Sequence, residues 1–124
     1  MYKILVVDDS ETVRNFLEGL LVRLNYQPVL AQNGVEAYEL VRGTQDISLV
    51  LCDINMPELD GMSFCELLHK ESLLKDVPKF ILTTESSLEM KMRGKACGVT
   101  AWVTKPIFPE KLAKAISVVL LKNS

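Results

Sequence analysis

Apolar residues along this chain alternate between two patterns, short unbroken runs and a recurrence at every third or fourth position. Residues 3–7, with the unbroken apolar run Ile4-Leu5-Val6-Val7, read as a strand buried on both faces. From Ser10, a residue type that caps helix N-termini, Val13, Leu17, Leu20, Leu21 and Leu24 recur at helical spacing. Asn25-Tyr26 ends that helix, and Val29-Leu30-Ala31 forms a second strand. Pro28 cannot donate a ladder hydrogen bond, which places this strand at a sheet edge. Asn33-Gly34 turns into a helix with Ala37, Leu40 and Val41 inward, stopping near Gly43. Residues 47–52 are a third, almost wholly apolar strand, and the turn-rich stretch 53–61 follows it. Phe64, Leu67 and Leu68 mark a third helix, and Pro78 precedes a fourth strand at 79–83. Leu88, Met92 and Ala96 predict a weakly amphipathic fourth helix, in which Gly94 costs about 1 kcal/mol relative to Ala. A fifth strand covers about 101–104. The last helix opens with Pro109 in its first turn and buries Leu112, Ile116, Val119 and Leu120.

Five strand–helix units in series predict an α/β domain over residues 1–124. It is a doubly wound, three-layer sandwich with a parallel sheet covered on both faces and right-handed crossovers. The sequence contains no repeat, low-complexity stretch or linker.

In such a sheet every strand ends at the same edge, where ligands of open parallel sheets bind. Asp8 and Asp9 follow the first strand, Asp53 the third, Thr83 closes the fourth, and Lys105 follows the fifth. Three carboxylates in a small volume repel one another unless a cation intervenes, and oxygen ligands select a hard divalent ion, most simply Mg²⁺. Successive strand residues point to opposite faces, so Asp8 and Asp9 both reach the site only if the chain bends there. One is expected on the metal directly and the other largely through water. An ammonium beside a divalent ion requires a further anion, and a phosphoryl group supplies it. Thr83 then offers a hydroxyl to the phosphoryl oxygens, and Asp53, on the central strand at the head of a loop, is the candidate nucleophile. Taken singly, each residue has a plainer reading. Asp8-Asp9-Ser10 suits a helix start, 53–61 a turn, Thr83 a solvated strand end and Lys105 a surface lysine. All four at corresponding strand ends favour the site.

Composition narrows the setting. The chain has 124 residues, a net charge of −2 and 24% charged residues, so no global field points to nucleic acid or a membrane surface. Its apolar stretches fall short of the roughly 20 residues of a membrane span, and no signal-peptide layout opens it, so the cytoplasm is expected. Cys52, Cys65 and Cys97 lack metal-site spacing and read as reduced core thiols. His69 reads as a surface or boundary histidine.

Val7-Asp8-Asp9-Ser10, Asp53 with Met56-Pro57-x-x-Asp60-Gly61, Thr83, and Lys105-Pro106 together resemble the receiver domain of two-component response regulators, over essentially the whole chain. The resemblance is nearest to stand-alone chemotaxis-type receivers. It implies a flavodoxin-like strand order of 2-1-3-4-5 and phosphorylation of Asp53 by a histidine kinase or its phosphotransfer domain. By the same resemblance Asp9, Asp53 and the Asn55 carbonyl bind Mg²⁺, with Asp8 acting through water. Thr83 and Lys105 contact the phosphoryl group, and the Lys105–Pro106 bond is cis. Thr83 and an aromatic on strand five, here Trp102, are the moving switch. The implied output face is helix four, strand five and helix five, its target the flagellar motor switch if the chain acts in chemotaxis. A monomer is expected, and the chain catalyses only its own phosphorylation and dephosphorylation.

This chain departs from the family pattern at Trp102, where Tyr or Phe is commoner, and at Thr84, where Ala or Gly is usual. Ile107 replaces a frequent Phe. Asn55 and Glu85, flanking the site, match chemotaxis-type receivers. Lys91, Arg93 and Lys95 make the fourth helix basic, either as a solvated face or as part of the output surface. With no output domain after residue 124, a stand-alone switch is the leading expectation. The alternatives are a phosphorelay shuttle or a receiver fragment of a larger regulator. A haloacid-dehalogenase-like phosphatase would need Asp-x-Asp after strand one, where this chain has Asp8-Asp9-Ser10. In a flavodoxin-like flavin binder, Asp8 and Asp9 would repel the phosphate.

Overall fold

A computed structural model describes every residue except Gln45, Glu85, Ser86 and Ser124. Five strands and five helices alternate: β1 Lys3–Val7, α1 Glu11–Arg23, β2 Gln27–Ala31, α2 Gly34–Gly43, β3 Ile47–Asp53, α3 Gly61–Lys70, β4 Lys79–Thr83, α4 Leu88–Ala96, β5 Val99–Thr104 and α5 Pro109–Asn123. All strand pairs are parallel, in the order β2-β1-β3-β4-β5, so Pro28 does lie on an edge strand. No helix among the described residues is long and apolar enough to cross a membrane.

The alternation of side chains along each strand divides the core in two. Leu5, Val7, Val50, Cys52 and Ile81 face one way, under α2 and α3, together with Ala37, Val41, Phe64, Cys65 and Leu68. Ile4, Val6, Leu49, Leu51, Phe80 and Leu82 face the other way, against Leu17, Leu20 and Leu21 of α1 and Leu112, Ile116 and Leu120 of α5. Strands covered on both faces need apolar residues at every position, and this explains the unbroken runs in β1, β3 and β4. Side-chain caps start the helices at defined points: Ser10 accepts from Val13 N–H at 3.3 Å, Asn33 from Glu36 N–H at 2.8 Å, Asp60 from Ser63 N–H at 2.7 Å and Ser87 from Met90 N–H at 3.1 Å.

The fourth helix corrects the periodicity reading. Leu88 and Met92 are exposed, and so is Ala96; the buried residue of α4 is Gly94, with Met90 partly covered. The inward face therefore carries a bare backbone where an apolar stripe was expected. β5 also begins earlier than predicted, at Val99, because one irregularity interrupts its pairing: Lys79 pairs with Val99, but Phe80 pairs with Ala101. Thr100 is the extra residue, and its hydroxyl accepts the Lys79 N–H at 3.0 Å. β2 starts at Gln27, and β3 runs through Asp53 itself.

Lys79 is a second departure from the pattern, a lysine only 3% exposed at the foot of β4. Its Nζ donates to the carbonyls of Leu74 and Val77, at 2.8 Å each, and so closes the turn between α3 and β4. Cys52, Cys65 and Cys97 are unpaired thiols in the core. Burial, with the neighbouring Cys97 as a smaller contributor, pushes the Cys65 thiol up to about 12, far from a reactive thiolate.

Candidate functional site

The carboxyl ends of β1, β3 and β5 converge as expected. One carboxylate oxygen from each of Asp8, Asp9 and Asp53 lies within 4.8 Å of the others. β1 stops at Val7 and the chain bends at Asp9, which lets two successive residues address one site. Asp8 is fully buried, whereas Asp9 is exposed.

Asp8 is held from several sides. Ser10 N–H donates to its Oδ1 at 2.9 Å, Lys105 Nζ donates to its Oδ2 at 3.2 Å, and its backbone N–H donates to the Ala31 carbonyl at 3.1 Å. Arg14 donates from its guanidinium to the Asp8 carbonyl at 2.7 Å. This clamp was not legible in the chain, although Arg14 lies on the first turn of α1, within reach of the loop it secures.

Asp53 is 5% exposed, and Lys105 Nζ donates to its Oδ1 at 3.2 Å. Burial and then the nearby Asp8 charge raise its carboxyl above the ordinary range, while Lys105 and the Asn55 backbone N–H pull it back. For Lys105, burial disfavours the ammonium, but Asp8 and Asp53 outweigh it and the group titrates above its ordinary value. One lysine thus spans two carboxylates, and three carboxylates with one ammonium leave an excess of two negative charges. An oxygen-only donor set with that charge and one solvent-facing carboxylate fits a hydrated divalent ion such as Mg²⁺.

Gly61 lets α3 begin directly against the site. A Cβ there would overlap the Asp53 carbonyl oxygen and lie 2.9 Å from Ile54 Cα, and the Gly61 N–H donates to the Ile54 carbonyl at 3.0 Å. Thr83 is buried one step past Leu82, the pairing partner of Asp53, and its carbonyl accepts the Lys105 N–H at 2.8 Å. The Lys105–Pro106 bond is cis. Trp102 pairs with Ile81 and is half-buried on the α3–α4 side of the sheet. Asn55 and Thr84 are exposed beside the site, His69 is exposed far along α3, and Glu85 lies outside the described residues.

The fourth helix is less uniformly basic on its open side than its composition suggests. Arg93 forms a two-pronged ion pair with Glu66 of α3, at 2.6 and 3.2 Å, leaving Lys91 and Lys95 exposed.

Comparison with known proteins agrees with this geometry. The family model described as the response regulator receiver domain matches residues 4–117. The chemotaxis protein CheY1 of Helicobacter pylori is 36% identical over 98% of both chains. The probable transcriptional regulator ycf27 of Porphyra purpurea is 40% identical, but the chain spans about half its length, 47%. Among solved structures, chemotaxis protein CheY4 of Vibrio cholerae superposes with a TM-score of 0.90 at 36% identity, covering 96% of this chain and 98% of that one. The chain therefore belongs to the response regulator receiver family of two-component signalling, with CheY chemotaxis proteins among its relatives.

Proposed function

We propose that this chain is a phosphorylation switch of the chemotaxis type, in which Asp53 accepts a phosphoryl group from a cytoplasmic histidine kinase or its phosphotransfer domain. The observation that carries this reading is the Lys105 ammonium held 3.2 Å from both Asp8 and Asp53 beside a third carboxylate, Asp9. A surface ion pair needs no such assembly, whereas a phosphoryl acceptor needs a nucleophile, a metal site and a cation for the incoming charge.

Asp9, Asp53 and the Asn55 carbonyl would hold Mg²⁺, with Asp8 acting through water. When bound, the ion draws charge from the transferring group and orients it against the nucleophile. Lys105 leaves its contact with Asp53 for a phosphoryl oxygen, and Asp8 keeps the ammonium in place. Thr83 donates its hydroxyl to a second oxygen. Asn55 and Thr84, exposed beside the acceptor, would set how readily water reaches it, a role the family resemblance extends to Glu85, so Thr84→Ala is expected to shorten the phosphoryl lifetime. The chain turns over nothing but its own phosphoryl group.

Output is assigned to α4, β5 and α5. Exposed Leu88 and Met92 on α4, Phe108 before α5, and Val118 on α5 give this side an apolar surface. A groove of about 350 Å³ between β5 and α5 is lined by Trp102, Lys105, Pro106, Phe108 and Lys111 among others. Its target would be a flagellar switch protein if the chemotaxis reading holds.

The test is intact-mass measurement after incubation with Mg²⁺ and a small phosphodonor. One phosphoryl group is expected on the native chain and none on Asp53→Asn. Absence of any gain, or an undiminished gain in the variant, overturns the reading.

A further inference from the structure

Gly94 is the buried residue of α4, yet glycine inside a helix costs about 1 kcal/mol relative to alanine. Helix formation does not explain it; space does. A Cβ built on Gly94 would stand 2.7 Å from Trp102 Cζ2 and 3.2 Å from both Cβ and Cγ2 of Val99. Val99 and Trp102 are three residues apart on one strand and share a face because Thr100 is the extra residue between them. The Val99 Cβ is fixed to the backbone and cannot swing aside, whereas the indole can. A side chain at position 94 would therefore compete with the six-membered ring of Trp102 for a single space.

We infer that Gly94 is a positioning residue for Trp102. Its missing Cβ leaves a seat in which the edge of the indole rests against the α4 backbone. The inference rests on the reading of Trp102 as the mobile aromatic of the switch, and deepens it. With the seat filled, the ring is lodged between β5 and the middle of α4. Turning it toward Asp53 empties the seat and removes the packing that supports α4 at that point. The placement of one ring and the footing of the helix bearing Leu88 and Met92 are thus a single variable. A Tyr or Phe at 102 would not need the seat in the same way, and so the larger aromatic and the glycine go together in this chain.

Trp102 is the only tryptophan, so its emission reads the seat directly. In the full chain without Mg²⁺ or phosphodonor, Gly94→Ala is expected to raise the acrylamide quenching constant about twofold, as the indole loses its cover. Because alanine also crowds Val99, thermal melts are compared in two backgrounds. Gly94→Ala should lower Tm by about 3–6 °C with Trp102 present, and more than half of that loss should vanish with Trp102→Phe, which lacks the second ring. An equal loss in both backgrounds, or unchanged quenching in a folded Gly94→Ala protein, overturns the assignment. Failure of Asp53 to gain a phosphoryl group, read by mass, would sink the switch reading alone, because quenching and melting are measured on the resting protein.

Discussion

Lys105 Nζ lies 3.2 Å from Asp53 Oδ1 and is held at that spot by the same distance to Asp8. The lysine therefore stabilises two carboxylates that the fold has taken out of water. Lys105→Met should destabilise the metal-free protein by about 2–4 kcal/mol, since a buried charge that loses its partner is costly. Saturating Mg²⁺ should recover a large part of that loss. Urea unfolding with and without the ion checks both, and equal stability of variant and parent would refute the account.

Asp53 is destabilising where it stands. Burial first, then Asp8, raises its carboxyl above 3.8, the ordinary value. A raised acid contributes most to stability below its unfolded value, and loses that contribution as pH climbs through its folded value. Asp53→Asn should then raise Tm at pH 7 by about 3–6 °C, and the gain should shrink below about pH 4. Thermal melts across pH without divalent ions decide it; a gain that grows on acidification would be contrary.

Lys79 gives the opposite end of the sheet a different pH signature. Burial lowers its ammonium below the ordinary 10.5, despite its acidic neighbours. A lowered group contributes stability above its unfolded value and loses it as pH falls through its folded value. The stability of the parent relative to Lys79→Met should therefore rise with pH in the alkaline range. Losing two bonds to the Leu74 and Val77 carbonyls should also cost about 1–3 kcal/mol, with faster amide exchange confined to the 71–77 turn.

Gly61→Ala should be more damaging than its size suggests. The new methyl meets the backbone of Asp53 and Ile54, which cannot rotate away. A loss of about 3 kcal/mol is expected, at the upper end for overpacking, together with slower phosphoryl uptake, because the collision displaces the acceptor. A folded variant with native uptake would show that the helix start is free to shift.

The Arg93–Glu66 pair should matter little. Both side chains are 45% exposed, so Arg93→Ala should cost less than about 1 kcal/mol and still less in high salt. Chemical denaturation at two ionic strengths measures it.

The site residues were legible for a topological reason. A parallel sheet brings every strand's carboxyl end to one edge, so Asp8, Asp9, Asp53 and Lys105 could be grouped without knowing any distance. The two-sided core was legible too, because the middles of β1, β3 and β4 are apolar without alternation. What escaped were contacts made by backbone or by atypical partners. The inner face of α4 is Gly94, which has no hydropathy to register, so Leu88 and Met92 drew the helix to the wrong face. Lys79 is buried against carbonyls, and Arg14 grips a carbonyl, neither of which leaves a periodic trace. Thr83 was read from its place at a strand end, whereas Trp102 and the motion proposed for the two came from resemblance alone, since an isolated tryptophan says little about chemistry.

The extra residue Thr100 sets the parity of everything that follows it in β5. Downstream of it, even-numbered Trp102 looks toward α4 and odd-numbered Val103 toward α5, the reverse of the assignment that continuous pairing from Val99 would impose. Deleting Thr100 would join Val99 directly to Ala101 with every other pairing kept, so the indole would stay on its face and the loss would fall on the Lys79 N–H, which would lose the hydroxyl that accepts it. The extra residue is what lets Val99 and Trp102, three positions apart, both face Gly94 while the pairing beyond it runs on unbroken to Thr104, next to Lys105.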